Sequence, residues 1–523
     1  MRSLPAGASS GVSLRDAMRI YYGRLFPAES LLRWLAYGND SRRPSADGTF
    51  LSRRELCFTL EGDVFVRYLS FEDAKSFRAA LSSRLPAKID VGPVYSCPPA
   101  RRALAGAAFA PLEREFVIDV DLTDYDDART CGSGAHACAR CWPLAGCAVA
   151  LLDRALREDF GFRHILWVFS GRRGVHAWVC DQRARAMTDE QRAAVASYLS
   201  IRRGKIHDAA AGAPPAGGTA TAGPPGAAPG ALPGAGPTTS PLLLPNELPP
   251  SLERAAGIVT RVLEQWILPR QRLLTTPRTA AAVLALLPTE NARQAVLRAW
   301  EDDPACTPVQ EEGDEEEEGG ESGARKEGGA GRKKSDPGPG PGADAVAGDE
   351  RDERAAPPGS CSSSFSASSP GALVELARWR AFVSLSRRFA EQARRAREAP
   401  RVARAFERAP RDAAFALCYP RLDVEVSKKR NHLLKAPFCV HPKTGLVCVP
   451  IRPEEALDFD PGRAPNVHAL FAQLDAGTPA DQTDLAPYVR RFETEFLDPL
   501  LDECREKQRQ DARAAGDRAT LAW

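Results

Sequence analysis

Two stretches of this 523-residue chain lack the side chains to build a core, and they divide it into three blocks. Ala209 to Ser240 is almost entirely Ala, Gly, Pro and Thr. Val309 to Ser369 joins an acidic run (Asp314, Glu315 to Glu318), a basic triplet (Arg332, Lys333, Lys334) and a Ser-rich tail. Neither can bury enough apolar surface to offset the entropy of ordering, so both are expected to be disordered insertions. The chain's 41 Gly and 43 Pro are too many for one compact domain, although its hydrophobic content, 43%, is that of a globular protein. The expected role is that of solvated spacers, with nuclear import through Arg332–Lys334 as the alternative.

The resulting division is a first core part at 1–203, a linker at 204–240 and a helical unit at 241–303. An acidic and Ser-rich insertion follows at 304–371, then a second core part with a terminal helix at 372–523. Leu14, Met18, Tyr21, Tyr22 and Leu25 recur on one helix face. Leu56 to Leu60 and Val64 to Tyr68 alternate as two strands about a turn at Gly62. Ile258, Val262 and Trp266, then Ala281 to Leu287, mark the middle block as helical, and helix is expected again through Trp379 and Phe382. The mixture is an α+β pattern.

Several function classes are disfavoured at this point. No run of apolar residues approaches the roughly 18 needed to span a bilayer, and no secretory signal is apparent. The 13 cysteines are mostly scattered singly, which suits a reduced compartment. With 70 basic and 68 acidic residues the net charge is +2, so no global field marks a nucleic-acid binder, although a sum hides clustering.

The chemistry concentrates in a few segments. Glu115 to Asp121 reads E-F-V-I-D-V-D, a strand by its β-branched and aromatic residues. Alternation puts Asp119 and Asp121 on one side, roughly 7 Å apart. Close carboxylates invite divalent cations, and two ions about 3.5–4 Å apart would serve phosphoryl chemistry. In Arg421 to Val426 the apolar residues again alternate with Arg421, Asp423 and Glu425, so a second acidic strand beside the first is expected, with Asp423 as third carboxylate. On each motif alone, a polar strand face is the competing reading.

Leu166 to Val179 reads strand, tight turn, strand, with Gly171 and Gly174 permitting the turn. Ser170, Arg172, Arg173 and His176 concentrate donors there that suit a triphosphate. Near Asp423, Lys435 and His441 could add phosphate contacts, while Lys443-Thr444-Gly445 is most simply a turn. Cys131, Cys138 and Cys141 form C-x6-C-x2-C, which suggests structural zinc. Three ligands are obvious; His136 is the best fourth candidate and Cys147 the second.

At these residues the chain resembles the small catalytic subunit of eukaryotic DNA primase, in the archaeo-eukaryotic primase superfamily. The matching text includes YYGRLFP (Tyr21 to Pro27) with Trp34, FVIDVDLTDYDD (Phe116 to Asp127) and EDFGF (Glu158 to Phe162). It continues with SGRRGVHAWVCD (Ser170 to Asp181), YPRLDVEVSK (Tyr419 to Lys428), NHLLKAPFCVHPKTG (Asn431 to Gly445) and LAPYV (Leu485 to Val489), in family order. The resemblance implies a mixed α/β catalytic core with a small inserted helical subdomain. It implies Asp119, Asp121 and Asp423 as catalytic acids holding Mg2+ or Mn2+. It places Ser170, Arg172, Arg173, His176, His432, Leu433, Leu434, Lys435 and His441 around the nucleotide, and Glu55, Arg67 and Lys88 on the active-site surface, with Glu55 among the catalytic residues. Family members bind zinc through four cysteines, and Gly132 stands here where the second is usual. The implied partners are the large primase subunit, DNA polymerase α, a single-stranded DNA template, the RNA primer and ribonucleoside triphosphates, in the nucleus. Weak template binding by this near-neutral chain alone is expected. Two rivals are a related primase-polymerase acting in repair and a non-catalytic nucleic-acid scaffold of the same fold.

Overall fold

A computed structural model describes residues 13–39, 46–134, 137–201, 244–307 and 369–521, the side chains to 514. Both low-complexity stretches in large part, the triplet Arg332–Lys334, and His136 lie outside the described residues.

Two antiparallel sheets form the centre. The first has the order β2-β1-β3-β4, from β1 (Arg54–Leu60), β2 (Val64–Leu69), β3 (Lys88–Tyr95) and β4 (Pro111–Glu113). The second has the order β5-β7-β6-β9, from β5 (Phe116–Asp121), β6 (Ile165–Phe169), β7 (Gly174–Val179) and β9 (Pro450–Ile451). The short β8 (Leu434–Lys435) pairs with β3, setting Lys435 opposite Asp90. Soon after it, the chain docks on the second sheet's turn, where the Thr444 hydroxyl donates to the Gly171 carbonyl at 2.7 Å. One segment thus stitches the two sheets together.

Helices cover the sheets because their apolar stripes need a partner surface. They include α1 (Leu14–Ile20), α2 (Ala28–Ala36), α3 (Trp142–Glu158) and α4 (Asp189–Leu199). Trp34 of α2 is fully buried edge-on against Trp178 of β7, centroids 5.3 Å apart. The middle block is helical as expected, with α5 (Pro250–Val262), α6 (Pro277–Leu284) and α7 (Glu290–Asp302). It packs against α8 (Pro370–Arg395) and α9 (Pro400–Cys418). The Trp300 indole donates to the Arg378 carbonyl at 2.9 Å, and the buried Glu375 carboxylate accepts the amides of Leu274 and Thr275. Two further helices are α10 (Val424–Lys428) and α11 (Asp498–Leu521).

One expectation fails here. The alternating segment Arg421 to Val426 is not a strand: Asp423 caps α10, its side chain accepting the Glu425 amide at 3.0 Å. The cause is β5, which lies at the edge of its sheet. Asp423 donates its amide to the Asp119 carbonyl (3.1 Å) and Ser427 its hydroxyl to the Val117 carbonyl (2.6 Å). Two bonds followed by a capped helix close that edge, where an added strand would have continued it.

Candidate active site

The acids stand where β5 leaves the core. Phe116, Val117, Ile118 and Val120 are fully buried, whereas Asp119 and Asp121 are partly exposed at the strand's end. Register sets Asp119 opposite His176 and Asp121 opposite Gly174 on β7. With Asp423 they line one open cleft of about 710 Å³. The chain thus brings together three carboxylates from segments about 300 residues apart.

Asp121 is held from two sides. One oxygen accepts the Thr123 amide (2.9 Å) and hydroxyl (2.8 Å), and Arg173 Nε approaches both oxygens at 2.8 Å. Asp119 has the His176 ring at 3.6 Å. Burial, then the charges of Asp121 and Asp423, push the Asp119 carboxyl up to about 7. Burial and the Lys435 charge hold the His176 imidazole down at about 3, so it is neutral at physiological pH. The donor set is therefore a crowd of like charges that Arg173 and Lys435 offset only in part, and three carboxylate groups facing one cleft fit a divalent cation.

The turn after β6 supplies cations. Ser170 and Gly174 close it, with Ser170 Oγ accepting the Gly174 amide at 3.0 Å. Gly171 adopts φ +84°, and a Cβ there would stand 2.8 Å from His441 Cβ, so only glycine fits. Lys435 donates to the Ser170 carbonyl at 3.3 Å. The His441 imidazole is lowered to about 3 by burial and by the charges of Lys435, Arg172 and Arg173. Ser170, Arg172, Arg173, His176, Lys435 and His441 thus share one corner beside the acids. Leu434 is buried opposite Val91, Leu433 packs on Gly92, and His432 is the exposed member of the segment.

Glu55 and Leu433 both flank Gly92, each with a side-chain atom 2.9 Å from where a Cβ there would stand. Glu55 is fully buried in β1, not on the surface, and accepts bonds from Arg67 Nε (3.0 Å), the Tyr68 amide (3.1 Å) and the Tyr95 hydroxyl (3.1 Å). Arg67, which it fixes, is the group that reaches solvent. Lys88 pairs with Asp90 at 3.3 Å. Sequence reasoning overlooked Asp124, which lines the cleft and whose carboxyl is raised by burial and by Asp121. It also overlooked Arg421 as a positioning group: it pairs with Asp127, and its amide donates to the Tyr125 hydroxyl at 3.0 Å. The signal available was the acid-rich D-L-T-D-Y-D-D after β5.

Beyond the cleft, Cys131, Cys138 and Cys141 gather their sulfurs, with separations of 3.6 Å (131–138) and 3.9 Å (138–141). A tetrahedral ion bound to sulfur at about 2.3 Å places its ligands about 3.8 Å apart, so the trio fits a metal. The hydrogen bonds shared among the three thiols lower Cys138 and raise Cys131 and Cys141, so a metal would meet one favoured thiolate and displace protons from the other two. Cys147 lies outside the trio, buried within α3.

The family profile described as DNA primase small subunit matches residues 118–453, which is 336 of the 523 residues and takes in both acidic segments. The chain belongs to the DNA primase small-subunit family. The DNA primase small subunit of Schizosaccharomyces pombe is 33% identical over 476 residues, 91% of this chain and 81% of that protein. That of Drosophila melanogaster is 33% identical over 464 residues, 88% and 82% of the two chains. The DNA primase small subunit PriS of Archaeoglobus fulgidus is 28% identical over 157 residues, 29% of this chain and 44% of that protein. The chain joins sheets to helices, and among the described residues no helix is long and apolar enough to cross a membrane.

Proposed function

We propose that this chain is the catalytic subunit of a DNA primase, making RNA primers on single-stranded DNA by template-directed nucleotidyl transfer. The observation that carries the reading is the convergence of Asp119, Asp121 and Asp423 in one cleft beside the Arg172–Arg173 turn and Lys435. In the reaction a 3′-hydroxyl attacks the α-phosphorus of a ribonucleoside triphosphate. A new P–O bond forms, the bond to the β-phosphate bridging oxygen breaks, and pyrophosphate leaves as the hydroxyl proton passes to solvent. Magnesium or manganese, held by the three carboxylates, would lower the pKa of that hydroxyl and neutralise charge on the leaving group.

The chain's own groups do the positioning. Arg172, Arg173 and Lys435 set positive charge against the triphosphate, and the Gly171 turn keeps their backbones fixed. His176 and His441, neutral at working pH, offer hydrogen bonds without further charge. Zinc at Cys131, Cys138 and Cys141, with His136 as fourth ligand, is the structural metal of this proposal. Association with a large primase subunit and DNA polymerase α, and a nuclear site of action, belong to it as well.

The test is incorporation of labelled ribonucleotide on single-stranded DNA, with and without the large subunit. Divalent-metal dependence is expected, and Asp121→Ala should lower the rate by at least about a hundredfold while circular dichroism stays unchanged. Full activity in Asp121→Ala, or preference for deoxynucleotides by the wild type, would overturn the reading.

A further inference from the structure

The net charge of +2 conceals one strongly basic face. Between residues 378 and 411 the chain carries eleven arginines against three glutamates, a local net charge of +8. This stretch is most of the α8–α9 hairpin, and none of its residues is named above as catalytic.

On α8, Arg380, Arg387, Arg388 and Arg395 recur at seven, eight and fifteen residues, so they share one face over about 22 Å. All four are exposed, and none makes an ion pair or side-chain hydrogen bond among the described residues. Arg394, on the same side, is paired with Glu407 of α9. Arg397, Arg401 and Arg404 continue the exposed row around the connection. Like charges this close repel, and a folded protein that keeps them without acids gains nothing from them internally.

The stripe flanks a groove of about 370 Å³ lined by Arg380, Arg387 and Arg388 over Trp379 and Val383. Glu391 also borders it, whereas the carboxylate of Glu264 accepts the Trp379 indole at 2.8 Å. The groove is oriented by the hairpin. Phe389 stacks on Phe406 (centroids 5.5 Å) and Arg394 meets Glu407, so α8 and α9 run antiparallel and Arg380 lies roughly level with Leu417. The next residues, Tyr419 to Asp423, line the catalytic cleft. The Arg380 end of the stripe is therefore level with the end of α9 from which the chain runs into the cleft, and the Arg395 end lies some six nucleotide steps further on at about 3.4 Å each.

We infer that the α8 arginine stripe is a docking track for the phosphodiester backbone of nucleic acid extending beyond the catalytic cleft. The inference rests on the primase reading for the direction of the strand, but not for its chemistry. Guanidinium groups that lack protein partners match phosphate oxygens, and backbone contacts of this kind position a strand without reading its sequence.

Fluorescence anisotropy on the full-length protein tests it, using an 8-nucleotide and a 30-nucleotide single strand and a 30-base-pair duplex. For R380E/R387E/R388E the Kd for the 30-mer should rise about tenfold or more. The slope of log K against log[salt] should become shallower by about 2, from three lost phosphate contacts at about 0.7 each. Affinity for the 8-mer and the rate of ribonucleotide incorporation at saturating template should stay unchanged. R380Q/R387Q/R388Q should show the same change at smaller size, which separates lost contacts from charge reversal. An unchanged 30-mer isotherm and salt slope would overturn the inference, as would loss of binding only to a synthetic acidic octapeptide, which would assign the face to an acidic protein segment. Loss of 30-mer affinity in a protein whose wild type incorporates no ribonucleotide would uphold the stripe and refute the primase reading.

Discussion

Replacing Asp119 by Asn should stabilise the metal-free protein while removing its activity. Asp119 sits between two further carboxylates, and its carboxyl is raised from 3.8 to about 7 by burial and by Asp121 and Asp423. Below pH 4 it is protonated both folded and unfolded, so the carboxyl costs nothing relative to Asn. Between pH 4 and 7 the unfolded chain ionises while the folded chain resists, and above 7 the whole cost is borne. At 1.36 kcal/mol per pH unit that gap corresponds to at most about 4 kcal/mol. The side chain keeps 28% of its exposure, and screening by water and salt reduces the realised gain to about 1–2 kcal/mol. In a chain of this size that is a rise of roughly 2–4 °C in Tm. Thermal unfolding in chelator at pH 5 and pH 8, low salt, reads it directly: the variant should melt higher at pH 8, with the difference shrinking towards pH 5. Adding Mn2+ should reverse the order, because the wild type gains binding energy that the variant cannot. A variant less stable than wild type at pH 8 in chelator, or a difference independent of pH, would refute the electrostatic account of the site.

Two further outcomes follow from the supports of the site. Glu55→Ala should cost about 3 kcal/mol in a urea titration, because Arg67 and Tyr95 lose their buried acceptor and a cavity remains; an unchanged midpoint would show that the network is idle. Elemental analysis of purified protein should find about one equivalent of zinc, reduced in His136→Ala, and a metal-free wild type would remove zinc from the proposal.

Much of the site was legible because its signals are local. The pair Asp119 and Asp121 is one strand's alternation, and the Ser170 to His176 turn announces itself through Gly171, Gly174 and two arginines. The position of Glu55 was not legible, since an acid in R-E-L-C-F-T-L looks the same whether its strand lies at a surface or inside. Only the fold puts Arg67, Tyr68 and Tyr95 around it and turns it from a surface group into a buried brace. The Arg421 to Val426 pattern misled for a related reason. Alternation is necessary for a strand but needs a neighbour with which to pair, and here the edge of β5 was closed by a capped helix.

By itself the sequence determined which residues can do chemistry, which stretches carry too few apolar side chains to build a core, and which family the motifs belong to, because each is a property of neighbours along the chain. The tertiary structure decided what stands beside what. It set Asp423 against Asp119 across some 300 residues, drew three sulfurs to within 4 Å of their neighbours, and aligned on one helix face a charge that the composition cancels to +2. The physical reason is the same in each case. Coulomb energies, burial and coordination depend on distance in space, and chain order constrains that distance only within a single helix or strand.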